Sequence, residues 1–408
     1  MISKECFVYI QLPQSLEPVT AGRIHWEKTG RNARGRFVYG QKYLKKKEAI
    51  PLDPFILPLE EKEFTCTINE GVFGPIRDAS PDNWGRRVIE KNTPASEWDE
   101  IGFLLNSAGD RVGALSFGIG KNPPAPVRDF NQTIQLESLI RAAHKIEQDQ
   151  PLSELERSIL NAGSSMGGAR PKAVVEHENS LWLAKFSSHH DRRNFPKIEF
   201  ATMRMAAECG INIPNIKLIK IGEQDVFLIE RFDRTRVKEA GSYLRHHFVS
   251  GLTLLGVDEK DRDRWSYLDL AAQMRRWISK PQGDLMKLYK RIIFNCLISN
   301  TDDHPRNHGF LFHSKDYHLS PAYDLVPQPT GSYTRDLAMP FGLQGRVIRL
   351  ENILSSCTDF GIEKKEAQTI YDQTKTCLLG WRSFYGAVGV SENDFKYLES
   401  AFNWDGIE

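Results

Sequence analysis

Over roughly the first ninety residues, apolar positions come in short alternating runs cut by turn-forming residues. "CFVYIQL", "GRFVYG" and "FTCTINEGVFG" read as strands, with Pro13, Pro18, Pro51, Pro54 and Pro58 between them. The pattern predicts a small, mostly β module. "SPDNWGRRVIEK" (80–91) then predicts a helix with Ser80 as N-cap and Pro81 as its first residue. "KNPPAPVRDF" (121–130) follows, and its three prolines can continue neither a helix nor a strand ladder, so it reads as a linker.

Beyond the linker the period changes. "ESLIRAAHKIEQ" is helical, and "KAVVEHENSLWLAKF" (172–186) alternates as two strands about a His-Glu-Asn-Ser turn. "KIEFATMRMAAECG" (197–210) is a helix that stops at Gly210, and "NIKLIKIGEQDVFLIERF" (215–232) is a second hairpin. Two hairpins about one helix make a compact α+β lobe. After residue 233 the chain is mostly helical. Tyr267, Leu270, Ala271, Met274, Trp277 and Ile278 keep helical spacing, as do Leu285, Leu288, Tyr289, Ile292 and Cys296. The expected fold class is α+β in three parts: a β-rich module (1–125), a small lobe (126–232) and a helical large lobe (233–408).

Length and composition agree with this division. A chain of 408 residues is long for one core, and 40% apolar with 26% charged residues describes an ordinary globular protein. Lys plus Arg (54) balances Asp plus Glu (53), which gives no basis for unaided, tight nucleic-acid binding. The cysteines at 6, 66, 209, 296, 357 and 377 form no C-x-x-C pair. That spacing argues against a zinc ribbon or a disulfide framework and fits a reducing cytosol. No apolar run reaches the roughly 18 residues of a membrane span, and the N-terminus lacks a signal-peptide core.

The densest chemistry lies in "SNTDDHPRNHGFLF" (299–312), at the end of an apolar helical pattern. Asp302 and Asn307 stand in D-x-x-x-x-N spacing, the interval of a kinase catalytic loop. An aspartate there accepts the proton of an attacking hydroxyl, and the asparagine oxygen holds a magnesium ion on the phosphates. Magnesium takes hard oxygen ligands, so a second carboxylate is expected nearby. Asp324 in "LSPAYDLVP" (319–327) is where a hairpin would return it. The competing readings are loop capping by Asp302 and Asp303, and a metal site at His304 and His308, which Pro305 disfavours. "SHHDRR" (187–192) resembles a phosphohydrolase His-Asp pair but falls in a charged turn.

A kinase small lobe also needs a lysine and a glutamate. Lys185 ends the strand "LWLAKF", and Glu199 lies on the following helix. "FLIERF" (227–232) then reads as the connector between lobes, with Glu230 or Phe232 at an adenine edge. "NAGSSMGGARPKAVV" (161–175) has three glycines in six residues, which lets backbone N–H groups, those of Gly167 and Gly168 included, approach phosphates. Gly163-Ser164-Ser165-Met166-Gly167 also matches the nucleophile elbow of a hydrolase, with Ser165 as nucleophile. The elbow needs a strand before it and a helix after it, whereas a helical pattern precedes and Pro171 follows.

These residues together resemble the HipA-like serine/threonine kinases, the toxin halves of bacterial toxin–antitoxin modules. The likeness runs through "DRVGALSFG" (110–118), "GSSMGGARPKA", "LAKF", "LIERFDR" (228–234), "GLTLLGVD" (251–258), "SYLDLA", "NTDDHPRNHGFL" and "LSPAYDLVP". The resemblance implies a two-lobed protein-kinase-like fold carrying an N-terminal β-rich module, in a cytoplasmic protein that uses ATP and Mg2+. It makes Asp302 the catalytic aspartate, Asn307 and Asp324 the metal ligands, Lys185 the phosphate lysine, and Glu230 with Phe232 the adenine hinge. It implies inhibitory autophosphorylation at Ser165 or the adjacent Ser164, although "ARPK" here replaces the Gln-Glu-Lys-like segment of the best-known pattern. It also implies a protein substrate, an aminoacyl-tRNA synthetase being one target class, and a helix-turn-helix antitoxin of the HipB type that supplies DNA binding. Runner-up functions are a small-molecule phosphotransferase and a non-catalytic kinase-fold binding protein.

Overall fold

β1 (Ile2–Gln11), β2 (Pro18–Thr29), β3 (Asn32–Tyr39) and β4 (Glu63–Cys66) form an antiparallel meander. β5 (Leu115–Gly118) closes it on the far side of β1, giving the order β4-β3-β2-β1-β5. Alternation along β3 turns Phe37 and Tyr39 inward, where they join Val8, Ile10, Ile24, Trp26 and Leu52. In this computed structural model the described residues are 2–93, 98–126, 130–161, 168, 170–237, 242–332, 334–404 and 407.

Three helices, Gly74–Asp78, Asn83–Asn92 and Glu100–Asn106, lie between β4 and β5. The expected helix start at Ser80 is displaced. Ser80 N–H still bonds back to Arg77 O, and the next helix begins at Asn83 with Asp82 as its N-cap residue. The Asp82 carboxylate makes no capping bond there because more distant groups engage it, as described below. Trp84 and Val88 of this helix lie in the core of the second sheet.

That second sheet has the order β6-β7-β8-β10-β9: β6 (Asn131–Gln132), β7 (Lys172–His177), β8 (Ser180–Lys185), β9 (Ile216–Ile221) and β10 (Gln224–Glu230). β7 and β8 turn through Glu178 and Asn179, both at positive φ (47° and 65°), the arrangement of a two-residue hairpin turn. The helices Leu136–Glu147 and Glu154–Asn161 contribute to the core on one face. The helix Phe195–Glu208 packs against β9 and β10 and ends before Gly210, whose φ of 76° stops it.

Ile198, Ala201 and Met205 of that helix belong to the same apolar cluster as Leu270, Leu288, Ile292 and Phe294 of the large lobe. The helix is therefore a joint: it rests on the small-lobe sheet and shares the large-lobe core. The large lobe is built on the helices Tyr267–Trp277, Gln282–Leu297 and Lys364–Leu378. β14 (Gly309–His313) and β15 (Asp316–Leu319) follow the loop that carries Asp302 and form a three-stranded sheet with the earlier β13 (Phe248–Ser250); β11 (Arg234–Val237) and β12 (Ser242–Arg245) pair separately. Among the described residues no helix is long and apolar enough to cross a membrane.

Candidate active site

Lys185 ends β8, with Phe227 of β10 on one side and Lys172 of β7 on the other. Its ammonium donates to Glu199 Oε1 at 2.6 Å and to Asp324 Oδ1 at 2.8 Å. One cation thus joins the small-lobe sheet, the joint helix and the large lobe. Burial opposes the Lys185 charge, but Asp324 and then Glu199 more than offset it and hold the group protonated. The Lys185 ammonium holds Asp324 well below the usual carboxylate range. Burial pushes Glu199 the other way, against the pull of Lys185. The Asp324 side chain keeps 47% of its surface open, and its backbone sits in the left-handed region at φ 60°, which aspartate tolerates better than most residues.

The loop after the helix Gln282–Leu297 sorts its two aspartates. Asp303 is buried, accepts from Asn295 Nδ2 at 2.5 Å and lies 3.1 Å from His308 Nε2. It pins the loop. Asp302, the sequence-predicted base, is exposed. Its carbonyl accepts from His304 N–H at 2.9 Å and from Asn307 Nδ2 at 3.3 Å. With the amide nitrogen turned onto that carbonyl, Asn307 offers Oδ1 as a hard oxygen donor. Tyr323 O–H donates to Arg306 O at 2.8 Å, which ties the residue before Asp324 to the residue before Asn307.

His308 faces Asp303, and no group of three or more His, Cys, Asp or Glu suited to a metal occurs among the described residues. In "SHHDRR", Asp191 accepts from Ser188 N–H at 2.8 Å and pairs with Arg170, so it caps a turn. The oxygen donors Asn307 and Asp324, the latter held ionised, do fit a hard cation such as Mg2+ completed by phosphate oxygens.

Ser164, Ser165 and Gly167 lie outside the described residues. Gly168 is described: its N–H donates to Asp82 Oδ2 at 3.0 Å, and its carbonyl accepts from Trp84 N–H at 3.1 Å. Its φ of 105° favours a glycine, and a Cβ there, 2.3 Å from Lys172 Nζ, would also displace the end of that lysine. Burial, then the neighbouring Lys185, lowers Lys172 to about 8. The helix Glu154–Asn161 precedes the glycine stretch and β7 follows it, the reverse of a nucleophile elbow.

At the connector, Glu230 has both its N–H (2.9 Å to the carbonyl) and its carboxylate (2.5 Å) engaged by Asn215. The Phe232 ring lies 5.6 Å from that of Tyr323, so the connector touches the segment that bears Asp324. Asp233 accepts from Arg231 Nη2 at 2.8 Å and from Gly113 N–H at 2.8 Å, and Arg231 also donates to the carbonyls of Asp110 and Arg111. The "DRVG" turn thereby docks the N-terminal module on the connector.

Sequence reading misses a second ionic cluster. Arg306, inside the catalytic-loop motif, reaches Asp82 at 2.6 Å and Glu259 at 3.0 Å; Arg77 reaches the same two carboxylates at 3.3 and 2.8 Å. Burial opposes the Asp82 charge, but Arg306 and Arg77 hold the carboxyl far below its ordinary range. Only the place of Arg306 between Asp302 and Asn307 hints at this role.

Residues 164–381 match the family described as the HipA-like C-terminal domain, and residues 15–118 match the HipA N-terminal domain. The chain belongs to the HipA-like family. Among its relatives, the serine/threonine-protein kinase toxin HipA of Shewanella oneidensis is 30% identical over 275 residues. The matched stretch spans 60% of each protein, less than two thirds of that relative's length. Among solved structures, HipA of Shewanella oneidensis MR-1, in a complex with HipB and its operator DNA, superposes with a TM-score of 0.70 at 19% identity. That match covers 95% of this chain and 94% of the other, and the shared architecture is the α+β, kinase-like fold of the HipA-like proteins.

Proposed function

We propose that this HipA-like protein is the toxin of a toxin–antitoxin pair: an ATP-dependent serine/threonine protein kinase that moves the γ-phosphate to a protein hydroxyl. The observation that carries the reading is the Lys185 bridge, a buried ammonium between Glu199 and Asp324 beside the loop of Asp302 and Asn307. Glu199 positions Lys185, and Lys185 contacts the phosphates of ATP. Asp302, exposed and next to the pinned Asp303, accepts the proton of the attacking hydroxyl. Asn307 Oδ1 and Asp324 would hold Mg2+, which would supply positive charge against the phosphates. Gly167 brings its backbone N–H to the phosphates, Gly168 (whose own N–H goes to Asp82) gives the loop its close backbone approach, and Glu230 with Phe232 borders the adenine.

The finer parts of the reading follow the family. Ser165, or Ser164 beside it, takes the inhibitory autophosphorylation, and an aminoacyl-tRNA synthetase is the target class. A helix-turn-helix antitoxin of the HipB type supplies DNA contact, in keeping with the near-equal charges of this chain. The cytoplasm is the place of action. Incubation with labelled ATP and a cell lysate tests the whole: label on protein supports the kinase, label on small molecules supports a small-molecule phosphotransferase, and no turnover supports a binding scaffold. Mass spectrometry of residues 161–175 after the same incubation reads the autophosphorylation; an unmodified segment on active enzyme overturns that part alone.

A further inference from the structure

Two cysteines with no part in the proposed transfer meet where the joint helix touches the large lobe. Cys209 caps the C-terminal end of the helix Phe195–Glu208, which carries Glu199. Cys377 lies in the last turn of the helix Lys364–Leu378. The Cys209 and Cys377 Sγ atoms lie 2.7 Å apart, and both cysteines are free and half-buried. A second contact reinforces the same junction: Thr202 Oγ1 and Tyr385 O–H lie 2.7 Å apart. A disulfide holds its sulfurs at about 2.05 Å, so a small approach of two packed helices separates this pair from a bond.

We propose that Cys209 and Cys377 form a reversible oxidation site, at which a peroxide-class oxidant makes a disulfide that fastens the Glu199-bearing helix to the large lobe. Cys377, beside a Cys209 thiol that burial keeps protonated, reacts first. Its sulfur bonds to one peroxide oxygen as the O–O bond breaks, and the departing hydroxide takes up the thiol proton as water. The Cys209 sulfur then bonds to the sulfenic sulfur, and the hydroxyl leaves with the Cys209 proton as a second water. Two thiols are oxidised by two electrons in all, and one peroxide becomes two waters; a dithiol reverses the bond.

The placement suits these roles. Burial, then the Cys377 contact, raises the Cys209 thiol well above its usual range, so it stays protonated until the sulfenic acid forms. Half-burial admits a small oxidant. In a reducing compartment such a bond is transient, as a signal requires. The functional consequence rests on the kinase reading, because the crosslink restrains the helix whose glutamate holds Lys185.

The test uses the full chain and needs no ATP. After hydrogen peroxide treatment and digestion without reductant, a peptide pair joining Cys209 to Cys377 is expected. Intact mass should fall by two hydrogen atoms, and dithiothreitol should reverse both changes. Cys377→Ser should abolish the linked pair. Amide exchange along residues 195–208 should slow about tenfold in the oxidised protein, and Cys209→Ser should remove that slowing. Separate alkylation of both thiols after peroxide, or over-oxidation without a linked peptide, overturns the site. A linked peptide with unchanged amide exchange overturns the fastening. Because neither readout involves phosphate transfer, a failure here is distinct from a failure of the kinase assignment.

Discussion

Arg306 Nη1 lies 2.6 Å from Asp82 Oδ1, while the other oxygen of the same carboxylate accepts the Gly168 N–H at 3.0 Å. One aspartate at a helix start therefore holds both the loop of Asp302 and Asn307 and the end of the glycine stretch. Removing it leaves the Arg306 guanidinium, 17% exposed, with Glu259 as its remaining ion-pair partner among the described residues. Asp82→Ala should cost on the order of 3 kcal/mol of folding stability. In a double-mutant cycle with Arg306→Ala, the two changes should couple by about 1–3 kcal/mol in denaturant unfolding. Additive losses would show that the contact carries no energy.

Lys185 and Glu199 separate a structural role from a functional one. Lys185→Met leaves Glu199 buried without its ammonium and should lower stability by about 3 kcal/mol. Adding Glu199→Gln removes the stranded charge and should restore most of that loss. Phosphate transfer should stay absent in both variants, since neither can contact the nucleotide phosphates through Nζ. Recovery of transfer along with stability would mean that Lys185 serves only the fold.

Much of this was legible in the chain. The β7–β8 hairpin, its turn at Glu178 and Asn179, and the helix stop at Gly210 are local matters of alternation and backbone freedom, and the structure has each of them. The order of Lys185, Glu199, Asp302, Asn307 and Asp324 pointed to one site because a kinase needs those groups in that order, and the coordinates add the 2.8 Å contact between Lys185 and Asp324. What sequence could not reveal depends on long-range partners. Asp302 and Asp303 look alike in the motif, and Asn295 with His308 decides which one is buried. The helix begins at Asn83 rather than beside Ser80, and Asp82 does not cap it because Arg77, Arg306 and Gly168 engage its carboxylate. The meeting of Cys209 with Cys377 has no signal in spacing at all.

His247 should make stability fall in mild acid. Its Nε2 lies 2.9 Å from Leu52 O, across the contact between the large lobe and the N-terminal module, and the side chain is buried. Burial lowers its pKa from 6.5 to about 4, with the Leu52 carbonyl opposing. Between those values the unfolded chain binds a proton that the folded chain refuses. The stabilisation is therefore complete above pH 6.5 and is lost as pH falls toward 4, at up to about 1.4 kcal/mol per pH unit. Unfolding curves of His247→Gln across this window should be flatter by that slope; an unchanged slope would assign the acid sensitivity elsewhere.

The most direct measurement compares phosphate transfer from labelled ATP by the wild-type chain and by Asp302→Asn. Asp302 is exposed, so the substitution should leave folding intact, and nucleotide binding through Lys185 should persist. The account predicts transfer slower by roughly 10²–10⁴ from the loss of proton acceptance alone. Equal transfer by the two proteins would contradict it.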